Sequence, residues 1–193
     1  MKSINMRPTF SFKDKPQNES TFTYQGEAVA IGEDTSASVK MILDLSDKWF
    51  LSIAKGTSEA VAVARSDPGN TVYTDASGTF FDSDADIIFE RTETVRNTWS
   101  DESGDWSATV STTSYFAIDF YWIDFPQKHI KIESDLVSGG GWYGSGLSGN
   151  TAFGAGAVTA VGDASLSNFF LDVLTLEDNL SSTSMVGYAS IFV

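Results

Sequence analysis

Apolar residues along this chain recur mainly at every second position, the spacing of a strand buried on one face. Val39, Met41, Leu43 and Leu45 alternate with smaller or polar neighbours. Ser46-Asp47-Lys48 then leads into Trp49-Phe50-Leu51-Ser52-Ile53, which predicts a hairpin. Phe22 and Tyr24 run toward Val29 and Ile31 with the parity changing near Gly26, so a bulge is expected at that glycine. Val and Ala alternate from Glu59 to Arg65. Asp67-Pro68-Gly69-Asn70 predicts a turn, because Pro presets φ and Gly tolerates positive φ. Short strands are expected over 71–75 and 79–81, on either side of Ala76-Ser77-Gly78. Ile87-Ile88-Phe89 opens another that runs to Val95, and Ser100 to Asp105 reads as an acidic loop.

Tyr115 to Phe125, ending at Pro126, is the most hydrophobic stretch, apolar on both faces; that pattern predicts a central strand covered on both sides. His129 to Val137 alternates Ile130 and Ile132 with charged partners. Gly139 to Gly149 is glycine-dense, and strands are expected over 151–161, 169–176 and 185–193. One short helix is expected near 163–170. Elsewhere β-branched residues and glycine disfavour helices. The fold class that follows is all-β: a single-domain antiparallel β-barrel or β-sandwich of about ten to twelve strands. The domain spans residues 18–193 behind a loose N-terminal arm over 1–17. Glu27-Ala28-Val29-Ala30 recurs as Glu59-Ala60-Val61-Ala62, a short internal echo.

Composition narrows the chemistry. The 193 residues hold no cysteine, which excludes disulfide staples, thiolate metal sites and cysteine nucleophiles. With 12 basic against 26 acidic residues the formal net charge is −14. Eight of the twelve basic residues lie within the first 65 positions, and no Lys or Arg follows Lys131. Such a surface argues against nucleic acid as a partner, since phosphate contacts need clustered cations. No window has the ~18 unbroken apolar residues of a transmembrane helix. The first residues carry basic side chains without an apolar segment after them, so the expectation is a cytoplasmic protein or one secreted without an evident signal.

Candidate chemistry lies mainly in carboxylates and aromatics. Asp82, Asp84 and Asp86 sit in an Asp-x-Asp-x-Asp run, the oxygen-rich pattern that calcium uses, although Ile87 stands where an EF-hand loop requires glycine. The alternative is a solvated acidic turn that guards a sheet edge. Asp101, Glu102 and Asp105 present the same choice. Asp119 and Asp124 interrupt the aromatic strand, and a carboxylate among aromatics holds its proton nearer neutrality; with Glu133 on a neighbouring strand it could serve acid–base chemistry. By parity, Asp119 shares a face with Tyr115, Ala117 and Tyr121, and the greasier face is expected to be that of Phe116, Ile118 and Phe120. His129, the single histidine, is expected on the wet face of its strand. Gly144-Ser145-Gly146-Leu147-Ser148-Gly149 matches a dinucleotide fingerprint in spacing only, because a strand-like stretch follows where a helix is required. Trp122, Trp142 and Tyr143 are the candidate ligand-binding residues, since exposed rings stack on sugars, lipids or protein pockets.

The run from Ser114 to Phe125, followed by Leu136-Val-Ser-Gly-Gly-Gly-Trp-Tyr-Gly-Ser-Gly146, and Thr71-Val-Tyr-Thr-Asp75 upstream, resembles the secreted virulence-associated small β-barrel proteins of actinobacterial pathogens. The resemblance implies a compact Greek-key barrel, secretion and host or membrane interaction, with no catalytic residues to carry over. The expectation is therefore a non-enzymatic binding protein that presents an aromatic, glycine-rich surface to a hydrophobic small molecule, a carbohydrate or a protein. Two alternatives stand beside it. One is a β-barrel enzyme, cyclase-, isomerase- or hydrolase-like, with Asp or Glu as acid–base. The other is a membrane-active toxin that inserts amphipathic strands such as 106–117 and 151–161.

Overall fold

The computed structural model describes residues 19–48, 50–82, 84–121, 128–138, 147–162 and 164–192. The expected arm and the aromatic and glycine-dense segments around Trp122, Asp124, Trp142 and Tyr143 lie outside the described residues. Ten strands form: β1 (Glu19–Ile31), β2 (Asp34–Lys48), β3 (Leu51–Ser66), β4 (Tyr73–Asp82), β5 (Ile87–Asp101), β6 (Gly104–Phe120), β7 (Lys128–Ser138), β8 (Asn150–Val161), β9 (Ala164–Leu176) and β10 (Leu180–Phe192). They make a four-stranded sheet, β4-β1-β10-β9, packed on a six-stranded one, β7-β5-β6-β3-β2-β8. The architecture is thus an all-β sandwich rather than a closed barrel, and among the described residues each sheet keeps two open edges.

Most neighbours are antiparallel, as the short turns require. Two edges depart from that expectation, because β7 runs parallel to β5 and β8 parallel to β2. For β7 the reason is topological. The chain leaves β6, skips over β5 and returns on its far side, which reverses the sense of pairing.

Other sequence expectations are corrected. Gly26 carries no bulge and pairs in unbroken register with Met185 on one side and Gly78 on the other. Ala28 and Ala30 point inward there, while Val29 and Ile31 face out. The two short strands around Gly78 are one, β4. The segment expected to be helical, near 163–170, is instead the first half of β9, continuous with the strand expected over 169–176 and paired with β10 along its length. In β6 the parity holds but the face is inverted. Tyr115, Ala117, Asp119 and Tyr121 are buried between the sheets, and Phe116, Ile118 and Phe120 lie on the outer, half-exposed face. The strand is central in its sheet, as expected, yet covered on one side only.

The core has two halves. Near the turn that joins β1 to β2 it is built of Ala28, Ala30, Ala37, Ala62, Ala64 and Ala76 with buried hydroxyls. Small side chains bring the sheets close enough for those hydroxyls to reach across. Thr35 Oγ1 and Ser181 Oγ lie 2.7 Å apart, as do Thr74 Oγ1 and Ser107 Oγ, and Thr183 Oγ1 donates to the Ala37 carbonyl at 3.1 Å. Each bond satisfies a polar group that would otherwise be stranded in the core. At the other end Phe22, Tyr24, Phe80 and Tyr115 stack with centroids 4.7–5.7 Å apart and pack beside Leu43, Leu45 and Ile191. Gly104, at φ 134, is required at its turn, since a Cβ would stand 2.1 Å from the Ser66 carbonyl oxygen.

Candidate functional site

Carboxylates gather at the aromatic end of the sandwich. Asp82 closes β4 opposite Phe22 of β1, and its Oδ1 accepts the amides of Asp84 and Ala85, each at 3.2 Å. Asp86 turns away, and its Oδ2 accepts the Phe120 amide of β6 at 2.8 Å. Asp84 is exposed. The three carboxylates expected to share one side of a calcium loop therefore diverge. Among the described residues no group of three or more His, Asp or Glu side chains is disposed to hold a metal ion. The second acidic loop is a hairpin lock: Asp101 Oδ1 accepts the Ser103 amide at 2.8 Å, and Asp105 accepts Ser100 Oγ and the Gly69 amide.

Burial pushes the Asp82 carboxyl from its ordinary range up to about 6; the neighbouring charges of Asp119 and Asp84 add to the shift and the two amide bonds oppose it. Asp119 is 2% exposed. Tyr115 is buried near Asp82, and its hydroxyl finds no hydrogen-bond partner among the described residues. Burial raises its pKa, and the charges of Asp82 and Glu90 raise it further, so the phenol stays protonated. Chemically, this corner can hold and release a proton near neutrality.

The acid pair expected from Asp119 and Glu133 does not form. Glu133 is exposed on β7, 2.6 Å from Lys131 Nζ, and that contact raises the lysine pKa. Its register runs through Thr92 to Thr113, six residues from Asp119 along β6 and so about 20 Å away. Paired hydrolytic carboxylates stand roughly 5–10 Å apart. His129 is exposed, as expected, with Nε2 at 3.3 Å from Glu90 Oε2. Glu90 is buried and also faces Lys131 at 3.9 Å.

Apolar surface is concentrated on two outer faces. On the six-stranded sheet Phe89, Phe116, Ile130 and Ile132 line a shallow groove of about 240 Å³. The larger display is β9. Leu166, Phe170, Leu174 and Leu176 alternate along its outer face at 48–60% exposure, next to Val186 of β10. Its inner face presents Phe169 and Leu171, seated over Gly156 and Gly154 of β8, where a Cβ would meet those side chains at 2.5 and 2.1 Å. Glycine in β8 thus lets β9 close down on it, but both are edge strands, and Leu171 and Val173 remain 41% exposed.

Searches against protein-family models, curated proteins and solved structures find no match to this chain. The sequence pattern did not single out Asp82 as a proton-holding group, Glu90, or the exposed face of β9. The signal for β9 was present. Leu166 to Leu176 is apolar at both parities and carries one charge, Asp172, in a region without Lys or Arg. Such a run reads equally as a buried strand, and only the topology puts it at an edge.

Proposed function

We propose that this chain is a non-enzymatic interaction protein whose working surface is the β9 side of the sandwich, presented to an apolar protein surface. The observation that carries this reading is the row Leu166, Phe170, Leu174 and Leu176, exposed on an edge strand. Exposed large apolar side chains gathered on one face, here interleaved with Asn168 and Asp172, mark an interaction site, and an edge strand offers main-chain pairing as well. The binding face first expected around Trp122, Trp142 and Tyr143 lies outside the described residues, and this reading rests on β9 instead. In the double variant Phe170→Ser, Leu174→Ser, the thermal midpoint should stay within a few degrees of wild type, while binding of a hydrophobic fluorescent probe should be lost. A midpoint drop beyond 10 °C, or unchanged probe binding, would refute the reading.

One observation favours a second reading, acid–base chemistry on a hydrophobic small molecule. Burial raises the Asp82 carboxyl to about 6 near Asp119, and on this reading Asp82 takes the acid–base role first considered for Asp119, Asp124 and Glu133. Carbon-detected NMR titration should return an apparent value near 6 for Asp82. A value in the ordinary aspartate range removes the footing of this alternative.

A further inference from the structure

We infer that the occupant of the β9 edge is a second copy of the same chain, paired β9 to β9 about a two-fold axis, a step that rests on β9 being the working surface. Edge strands are normally guarded by charge, proline or cover. Two edges here follow that rule: β7 carries Lys128, Lys131, Glu133 and Asp135, and β4 carries Asp75 and Asp82. In β9 Asp172 is the single charge, and β8 facing it has none. Along the strand itself a second copy therefore meets one charge per chain, Asp172, with Glu177 and Asp178 following in the turn beyond Leu176.

The sequence of β9 is self-complementary in one register. When two copies run antiparallel and centre on Phe170, Ala164 meets Leu176 of the second copy, so all 13 residues of the strand overlap. On the outer face Phe170 meets Phe170 and Leu166 meets Leu174. On the inner face Phe169 meets Leu171. The one charged position falls opposite an amide, Asp172 against Asn168. Within a single chain Asn168 Oδ1 already accepts the Phe169 amide at 2.8 Å, which leaves Nδ2 to donate to the second copy's Asp172. Moving the register by two residues in either direction sets Asp172 against Leu166 or Phe170, and a one-residue slip swaps the faces. An isologous pair uses up both β9 edges, so growth through this contact stops at the dimer.

Sedimentation velocity over a concentration series tests this. The wild type should run as a species twice the 20.9 kDa chain mass. Asn168→Asp places like charges at two symmetric positions and should weaken the dimer by about tenfold. Adding Asp172→Asn to Asn168→Asp restores the charge–amide match and should restore the dimer. Neither site is buried, and circular dichroism of each variant checks the fold. Rescue by the double variant is the signature of the register. A monomer at every concentration, a filament, or a dimer indifferent to Asn168→Asp overturns the inference. If the chain is monomeric while Phe170→Ser with Leu174→Ser still abolishes probe binding, only the second copy is lost and the interaction reading stands; if probe binding also survives, both fail.

Discussion

Asp82→Asn is expected to stabilise the protein by up to about 3 kcal/mol at pH 8 and by only a few tenths near pH 4. The sign follows from linkage. The Asp82 carboxyl is raised from 3.8 to about 6 on folding, so between those values the folded state holds more protons than the unfolded one. Stability therefore falls as pH rises through this window, and the full penalty is present above it. Below about pH 4 the carboxyl is protonated in both states and the penalty vanishes. The amide of Asn keeps an oxygen for the Asp84 and Ala85 N–H groups and removes the repulsion with Asp119. Urea unfolding of wild type and variant at the two pH values isolates the effect from the other acidic groups. An equal gain at both, or a loss at pH 8, would contradict it. A charge retained where an amide is more stable belongs to the class of positions that proteins keep for reasons other than folding.

The period-two pattern made the fold class legible, because strands buried on one face write their core in alternate letters. Val39, Met41, Leu43 and Leu45 all face inward as read, and the Asp67–Asn70 turn forms with Gly69 at φ 87 and the Asn70 amide on the Asp67 carbonyl. The pattern failed where size and burial part company. In the halves of β1 and β3 nearest the β1–β2 turn the inward residues are Ala28, Ala30, Ala60, Ala62 and Ala64, and the larger Val29, Val61 and Val63 face out, because the sheets approach closely at that end. In β6 the same rule inverted a face. Phe116, Ile118 and Phe120 look like core, but the inner positions had to hold Tyr115 and Asp119 against β4. The open edge of β9 was illegible for a different reason. Strand order is a long-range property, and nothing in 164–176 says that one of its sides has no neighbouring strand among the described residues. The acidic loops show the limit for sites: Asp-x-Asp-x-Asp supplies the ligand types, but the bonds from Asp82 and Asp86 to nearby amides send the side chains apart.

Phe80→Ala is expected to cost about 3–5 kcal/mol, and Gly56→Ala about 1–3 kcal/mol, yet the second substitution should cost almost nothing once the first is made. Phe80 is 3% exposed and touches Phe22, Tyr24 and Tyr115. It reaches from β4 into the opposite sheet, where Gly56 leaves the hole it fills; a Cβ there would stand 2.2 Å from Phe80 Cε1. The ring is a knob held on all sides, so it cannot swing away, and an added methyl must displace the aromatic stack. With the ring gone, the same methyl enters a cavity and recovers part of its volume. A double-mutant cycle by urea unfolding should therefore show a coupling of about 1–3 kcal/mol between the two sites, and additive costs would break the knob-and-hole account. A second consequence tests the link from packing to chemistry. Asp82 lies two residues beyond Phe80 on the same face of β4, and burial is the main cause of its raised pKa. The cavity left by Phe80→Ala admits water to that corner, so the Asp82 titration should move back toward 3.8. An unmoved titration would assign the shift to Asp119 and Asp84 instead of to burial.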